Sequence, residues 1–432
     1  MRPPARGTTR LLYGAGLAAA LMLPVAVTAQ AAPLARTPMA LPAIDGLSAA
    51  DGLPTADGKK GQELPGMPSA LDPRAEEVVC TPASEEKAKK QDWSRQRLDL
   101  DRLHRHSTGA GVTVALISTG VDPDATGLDG RVTAEGEAAD DCVGHGTFLA
   151  GLIAGTGGNT PRLAGVAPGA KILALRGTDR RGQPDPALVA AAVREATAAR
   201  AGVIAVAVAL PRRDKALTRA VAEARKAGAV VVAAATPDSP SRGSADEIPS
   251  RTYWPAGEPG VLAVADMLPV GARPDGALPT GTVDLAAPGA GVVSGGPRGR
   301  GHYLGGGVGV ATAYTAGAAA VVRATHPEDS ADAVTRRLTA TAYPADLPQL
   351  DAYAAVTTVL GDSAAPAAGA ERAAEPVAVR DTSGTDRATG RATLFVLLGT
   401  AGVLAVLWAG FALSRARARG WRPAGAGTPG KG

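Results

Sequence analysis

The chain has 432 residues, long enough for one large α/β domain with flanking segments. Because 45% of the residues are hydrophobic but only 3% are aromatic, a core must be built from Ala, Val and Leu. The net charge of +4 is small and no basic stripe with interleaved aromatic residues occurs, so the sequence gives no indication of a nucleic-acid-binding surface.

The first 31 residues have the order of features found in an export signal. Three arginines within the first ten residues precede an apolar run over residues 11–27, and Ala29-Gln30-Ala31 matches an A-x-A cleavage site. A buried N-terminal helix is the alternative, but it would not require this order. We therefore predict a signal peptide over residues 1–31 and an exported chain.

Residues 32–92 are rich in Pro, Ala and Gly and show little periodicity, which is typical of an extended arm. The two cysteines of the chain are Cys80, in this arm, and Cys142. In an exported chain an even pair suggests a disulfide, and two free thiols or a metal site are the weaker alternatives. A disulfide would attach the arm to the domain and stabilise the fold by about 4 kcal/mol.

Between residues 93 and 360, apolar runs of strand length alternate with amphipathic segments. The predicted strands cover residues 112–117, 172–175, 203–210, 229–232 and 261–265, and the predicted helices cover residues 187–200, 215–226, 311–324 and 331–340. Apolar strands separated by helices predict an α/β fold with a parallel sheet and helices on both faces. The helix over residues 311–324 is mostly apolar, so we expect it to be buried.

The C-terminal part has the features of a membrane anchor. Residues 361–391 are rich in Ala, Pro, Asp and Arg and predict a flexible linker. Residues 392–413 contain no charged side chain, and a helix of that length crosses a hydrocarbon core of about 30 Å. Four arginines lie in residues 414–432, which predicts a cytoplasmic tail and an extracytoplasmic main domain. A core helix is the alternative, but it would show a polar face.

Six motifs follow one another through the predicted domain: residues 114–121, Gly144-His145-Gly146-Thr147, Gly165-Val166-Ala167-Pro168, residues 230–235, residues 283–289 and residues 307–322. In this order they resemble the conserved segments of the subtilisin-like serine proteases, the subtilases. The resemblance covers residues 93–360 and implies a subtilisin-like parallel sheet with helices on both faces. It also implies that His145 corresponds to the catalytic histidine.

Three further features resemble the mycosins, which are the subtilases of type VII secretion systems. Asp141-Cys142 lies just before the histidine motif, a partner cysteine lies in the N-terminal extension, and one C-terminal span follows a Pro/Ala-rich linker. The segment starting at Trp93 also resembles the start of the mycosin domain. The resemblance implies that the chain associates with the type VII secretion membrane complex. It also implies that one C-terminal helix anchors the chain in the membrane.

The sequence departs from this family at the residues that carry the chemistry. Peptide hydrolysis needs a nucleophile, a histidine base, a carboxylate that orients the base, and donors for the oxyanion. Ser118 occupies the position of the aspartate, Gly309 that of the nucleophilic serine and Pro237 that of the oxyanion asparagine. Asp122 and Thr312 lie too far along the chain to replace the lost groups.

Two more positions near the expected cleft bear on function. The substrate-pairing segment usually reads S-L-G, whereas this chain has Ala207-Val208-Ala209. His145 is either a relict held by packing, which we favour, or part of another site with Asp140 or Asp141. No second cluster of ligands lies near it in the sequence, so we predict no metal or other cofactor and assign no calcium site.

The leading hypothesis is therefore a proteolytically inactive subtilase, a pseudoprotease with a scaffolding or regulatory role at the secretion complex. One alternative is an active endopeptidase that uses a substitute nucleophile such as Thr312 or Ser294. Another is a module that binds an extended peptide in the cleft without cutting it, with residues 207–209 as the pairing edge. None of these involves nucleic acid.

Overall fold

A computed structural model describes residues 63–157, 163–238, 249–360 and 383–420. The predicted signal peptide and parts of the predicted extension, linker and tail lie outside them. The helices are α1 (Trp93–Arg97), α2 (Leu100–His106), α3 (His145–Ala154), α4 (Pro186–Ala198), α5 (Lys215–Lys226), α6 (Val308–Thr325), α7 (Ala331–Ala340), α8 (Ala352–Thr357) and α9 (Ser383–Ala418). The strands are β1 (Thr113–Ser118), β2 (Val132–Thr133), β3 (Lys171–Arg176), β4 (Val203–Val206), β5 (Val230–Ala234), β6 (Leu262–Met267), β7 (Leu285–Pro288), β8 (Val292–Ser294) and β9 (Tyr303–Gly305).

The main element of the fold is a seven-stranded sheet in the order β2-β3-β1-β4-β5-β6-β7, and every neighbouring pair in it is parallel. Successive side chains of a strand point to opposite faces. In β1, Val114 and Leu116 belong to one hydrophobic cluster, whereas Ala115 and Ile117 belong to another. Both faces are therefore buried, which confirms the predicted parallel sheet with helices on both sides.

The helices divide between the two faces. The first turns of α4 and α5 are capped by Asp185 and Asp214, whose side chains each accept two backbone N–H groups. These helices cover one face, and α3 and α6 contribute to the core on the other. In α6 every residue from Val308 to Val322 is buried, which confirms the expectation from its apolar sequence.

The described part of the N-terminal arm lies on the surface of the domain. The predicted disulfide between Cys80 and Cys142 is confirmed. On either side of it, backbone hydrogen bonds join Met67 to Leu304 at 2.8 Å and Thr81 to Cys142 at 3.0 Å. These contacts hold residues 63–92 against the part of the domain that carries α3.

Three boundaries differ from the predicted ones. β4 ends at Val206 although the apolar run continues to Leu210. Ala207 still donates its N–H to the Ile117 carbonyl oxygen of β1 at 3.1 Å, and residues 207–209 line a cleft. Strands β2, β7, β8 and β9 were not predicted, since runs of two to four residues carry little periodicity. Helix α9 begins at Ser383, inside the segment predicted as a linker.

The chain divides into two compact units, Met1–Val356 and Thr357–Gly432. The second contains α9, in which Leu398–Ala418 has a mean hydropathy of 1.4 and is long and apolar enough to be a candidate membrane span. This candidate overlaps the predicted span over residues 392–413.

Candidate functional site

His145 is the first residue of α3 and is held there by its two glycine neighbours. Gly144 adopts a φ of +90°, a backbone conformation that residues other than glycine rarely adopt. A Cβ atom on Gly146 would overlap the carbonyl oxygen of Gly120, just beyond the end of β1. The G-H-G sequence therefore lets the start of α3 pack directly against the end of β1, which brings His145 to the edge of the sheet.

Asp141 stabilises the start of α3. Its buried carboxylate accepts hydrogen bonds from the backbone N–H groups of Gly144 and Thr147 and from the hydroxyls of Thr119 and Thr147, at 2.7–2.8 Å. Asp140 lies outside, 3.6 Å from Arg180 in an exposed ion pair. The hydrogen bonds of Asp141 and the ion pair of Asp140 are made with groups other than the His145 ring, so these contacts do not support a second site built from His145 with either of them.

Gly309 lies directly beside the His145 ring. A Cβ atom built on Gly309 would be 2.8 Å from Cε1 and 3.4 Å from Nε2 of His145. Any side chain here would contact the imidazole ring, and the ring would have to shift slightly to admit it. In a serine protease the nucleophile lies next to its histidine base in this way. The structure thus places Gly309, the residue predicted to replace the nucleophilic serine, against the His145 ring, and no side chain extends from it.

Ser118 ends β1 and is buried, at 1% exposure. Its Oγ has no hydrogen-bond partner among the residues that the structure describes. A neutral hydroxyl cannot stabilise an imidazolium as a carboxylate does. Position 118 therefore carries none of the charge on which a catalytic histidine depends.

The loop after β5 approaches the start of α6. One carboxylate oxygen of Asp238 accepts the N–H of Val308 at 2.7 Å, next to Gly307, where any Cβ atom would overlap that carboxylate. The N–H groups in the first turn of a helix attract anions. The Asp238 carboxylate thus occupies an N–H group at the start of α6 that could otherwise bind an oxyanion. Pro237, next to it, has no hydrogen-bond donor of its own.

The His145 ring is buried, at 4% exposure. Burial lowers the pKa of His145, and the negative charges of Asp238 and Asp141 only partly oppose this. Its Nε2 has no hydrogen-bond partner within the described parts of the chain. The ring is therefore neutral at pH 7 and has an unused nitrogen beside Gly309.

His145 and Gly309 lie in an open cleft with a volume of about 710 Å³. Residues 69–73 of the arm form one side, and residues 207–209 and Thr236-Pro237-Asp238 line it as well. Arg181 donates hydrogen bonds to the carbonyl oxygens of Asp72 and Ala75 and so holds the arm at this place. The arm borders the cleft without filling it.

The two proposed substitute nucleophiles do not lie in this cleft. Thr312 is fully buried and its hydroxyl donates to the Val308 carbonyl oxygen at 2.8 Å. Ser294 is buried at 3% exposure and its hydroxyl donates to the Phe148 carbonyl oxygen at 2.8 Å. Neither hydroxyl is positioned to be activated by His145.

A buried carboxylate, that of Asp266, lies close enough to Asp238 to feel its charge. Asp266, on β6, is 6% exposed, and its Oδ1 is 3.7 Å from Nη2 of Arg273. Burial raises the pKa of Asp266 to about 6, and the charge of Asp238 adds to this while Arg273 opposes it. Within the described segments no cluster of three or more His, Cys, Asp or Glu side chains is placed to hold a metal ion.

Sequence reasoning identified His145, Ser118, Pro237 and Gly309, and the structure brings His145 and Gly309 together. It missed Asp238, because only the fold reveals that this residue meets a helix that begins 70 positions later. The only indication in the sequence was that an acidic residue, Asp238, directly follows Pro237 at the predicted oxyanion position.

Comparisons with known proteins agree with this architecture. A model of the subtilase family matches residues 109–385, more than half of the chain. Mycosin-3 of Mycobacterium tuberculosis is 31% identical over 390 residues, which cover 72% of this chain and 83% of that protein. A crystal structure of MycP1 from Mycobacterium smegmatis has a TM-score of 0.57 at 25% identity and covers 70% of this chain and 94% of that one.

The structure of the MycP3 protease from the type VII (ESX-3) secretion system has a TM-score of 0.55 at 28% identity and covers 71% of this chain and 99% of that one. Subtilisin E of Bacillus subtilis is 30% identical over 278 residues, or 63% of this chain and 71% of that protein. The similarity thus extends over the sheet, both helix layers and the cleft. The chain belongs to the subtilase family, with the mycosins among its relatives.

Proposed function

We propose that this chain is a proteolytically inactive, mycosin-like subtilase with a scaffolding or regulatory role at a type VII secretion membrane complex. The observation that carries the proposal is the position of Gly309 beside His145, since a Cβ atom there would be 3.4 Å from Nε2 and no nucleophile extends from it. Ser118 and Pro237 remove the acid and the side-chain oxyanion donor as well. In subtilisin, loss of the serine alone lowers kcat by about 10⁶-fold.

The proposed association with type VII secretion rests on two relatives, Mycosin-3 and the MycP3 protease. The match to this chain extends over most of the length of each of them. A subtilase unit without a nucleophile keeps its surface and its cleft. It can brace or regulate an assembly through contacts that do not require cleavage. An active endopeptidase is the less supported alternative, because Thr312 and Ser294 both donate to backbone carbonyl oxygens.

We also propose that α9 anchors the chain in the membrane with the main unit outside. Leu398–Ala418 would span roughly 32 Å as a helix, enough for a hydrocarbon core. Its large apolar side chains are exposed, with Trp408 at 73% and Phe411 at 62%. Arg415, Arg417 and Arg419 favour a cytoplasmic C-terminus.

Native electrophoresis of membranes solubilised in mild detergent tests this proposal. We expect the tagged chain to migrate in an assembly far larger than its own 43.0 kDa and to co-purify with type VII membrane components. A variant that lacks residues 383–432 should become extractable without detergent and should leave the assembly. Migration of the full chain as a lone protein would contradict the assembly role, and extraction of the full chain by alkaline carbonate would contradict the anchor.

A further inference from the structure

The His145 ring and the Ala207 carbonyl oxygen border the space beside Gly309. From a Cβ atom on Gly309, the carbonyl oxygen of Ala207 is 3.3 Å away and Nε2 of His145 is 3.4 Å away. Thr236, which is 1% exposed, lines the same cleft. Across the described residues, neither His145 Nε2 nor Thr236 Oγ1 has a hydrogen-bond partner. Buried polar atoms without partners are costly to a fold, so their occurrence together in one cleft points to a ligand.

The charge of this region selects the kind of ligand. Asp238 lines the cleft, and its negative charge reaches Asp266 behind it. Arg273 lies 3.7 Å from Asp266 and balances only one of these two carboxylates. Burial lowers the pKa of His145, so its ring contributes no positive charge. In the tautomer that carries its proton on Nδ1, Nε2 is an acceptor. An anion is therefore disfavoured here, and a cation with several hydrogen-bond donors is favoured.

Asp238 is held in place for such a role. One of its oxygens accepts the N–H of Val308 at 2.7 Å, which fixes the carboxylate at the start of α6. A carboxylate has lone pairs for further donors, and hydrogen bonds between charged groups are roughly twice as strong as neutral ones. The cleft of about 710 Å³ is large enough to admit an extended peptide that carries the cation.

We propose that the cleft binds a primary ammonium group of an extended peptide, with Asp238 as its counter-ion and His145 Nε2 and Thr236 Oγ1 as acceptors. An ammonium has three donors, which equals the number of these acceptors, and the three residues line the same cleft. A lysine side chain and a free amino terminus supply the same group. The inference rests on the proposed function, since a peptide held this way is bound without being cut.

Isothermal titration calorimetry on the full-length chain in mild detergent tests the proposal with three peptides. The first is acetyl-Ala-Ala-Lys-Ala-Ala-amide, the second has norleucine in place of lysine, and the third is penta-alanine amide with a free amino terminus. We expect at least one ammonium-bearing peptide to bind about 10-fold more tightly than the norleucine peptide. Preference for the first peptide identifies a lysine side chain, and preference for the third identifies an amino terminus.

Two variants assign the preference to this site. Asp238→Asn keeps the shape and the acceptor for Val308 but loses the charge, so the 10-fold preference should vanish. Thr236→Val removes a hydroxyl that has no partner among the described residues, so the fold should persist while affinity falls about 3- to 10-fold. Asp275→Asn, at an exposed carboxylate that does not line the cleft, should leave the preference unchanged.

Equal affinity for the norleucine peptide, no binding of any peptide, or a preference that survives Asp238→Asn would overturn the inference. None of these outcomes affects the scaffolding proposal. Mass spectrometry of the same peptides after prolonged incubation separates the two, because cleavage products would overturn the proposed loss of activity whichever peptide binds best.

Discussion

Cys80 and Cys142 form a disulfide that attaches the N-terminal arm three residues before His145. The bond closes a loop between positions 62 apart in the sequence. Residues 69–73 of the arm line the cleft. The disulfide therefore joins the arm covalently to the segment that leads into α3. The site is thus framed partly by residues outside the sheet and helices of the domain.

Removing this disulfide is expected to destabilise the domain by about 4 kcal/mol, because the unfolded chain regains the entropy of a long loop. The variant carries Cys80→Ala and Cys142→Ala together, and the free energy of unfolding is measured by urea titration in mild detergent. Limited proteolysis should also cut residues 63–92 faster than in the wild type. An unchanged unfolding midpoint and an unchanged cleavage rate would contradict this role of the bond.

Asp141→Asn should destabilise the domain by about 2–4 kcal/mol. The carboxylate accepts four hydrogen bonds, and an amide would turn its NH₂ group toward one of these donors in a buried place. The unfolding free energy is compared with that of Asp122→Asn. Asp122 uses one side-chain oxygen to accept the N–H of Asp124, which an asparagine also does, so the control should change stability by less than about 0.5 kcal/mol.

Among the residues that the structure describes, Arg95 is the largest fully buried side chain, at 1% exposure. It pairs with Asp92 and donates to the carbonyl oxygens of Ala164, Leu163 and Val293. Arg95→Met leaves Asp92 buried without its counter-ion, so we expect a loss of about 3–5 kcal/mol of stability. Arg105→Met, at an exposed arginine of α2, is the matched control and should be almost neutral. A loss below about 1 kcal/mol for Arg95→Met would contradict the account.

Asp266 should make stability fall as the pH rises from about 4 to about 6. Burial raises its pKa to about 6 in the folded chain, whereas the unfolded value is 3.8, so the folded state binds the proton more tightly. The stabilisation is complete below the unfolded pKa and is lost as the pH passes the folded pKa, a total of about 3 kcal/mol. Urea midpoints across this range should show the decline in the wild type.

Asp266→Asn should remove that part of the decline, and Asp275→Asn, at an exposed carboxylate, should retain it. Parallel pH profiles for the wild type and Asp266→Asn would contradict the assignment.

The sheet and its principal helices could be predicted because buried parallel strands are continuous apolar runs and the covering helices are amphipathic. Val114–Ile117 and the α5 segment are examples in which local pattern and tertiary environment agree. β4 ends before its apolar run does, and Ala207 and Val208 line the cleft. The residue at which the strand ends depends on contacts with residues far away in the sequence, and the local apolar pattern does not indicate it.

The site was predictable only in part for the same reason. Motif order singled out His145 and Gly309, and the structure brings these two residues together. The contact between Asp238 and Val308 depends on how the loop after β5 meets α6. This contact places the negative charge of Asp238 in the same cleft as His145, and only the three-dimensional structure shows that the two residues lie together there.

The absence of a nucleophile is tested most directly by reacting the purified full-length chain with a fluorophosphonate probe. His145→Ala and heat-denatured chain are the controls, and an active subtilisin verifies the probe. The account predicts no labelling of the wild type above the denatured background. Labelling that disappears in His145→Ala would contradict it, because it would show a nucleophile activated by that histidine and would make this chain a working protease.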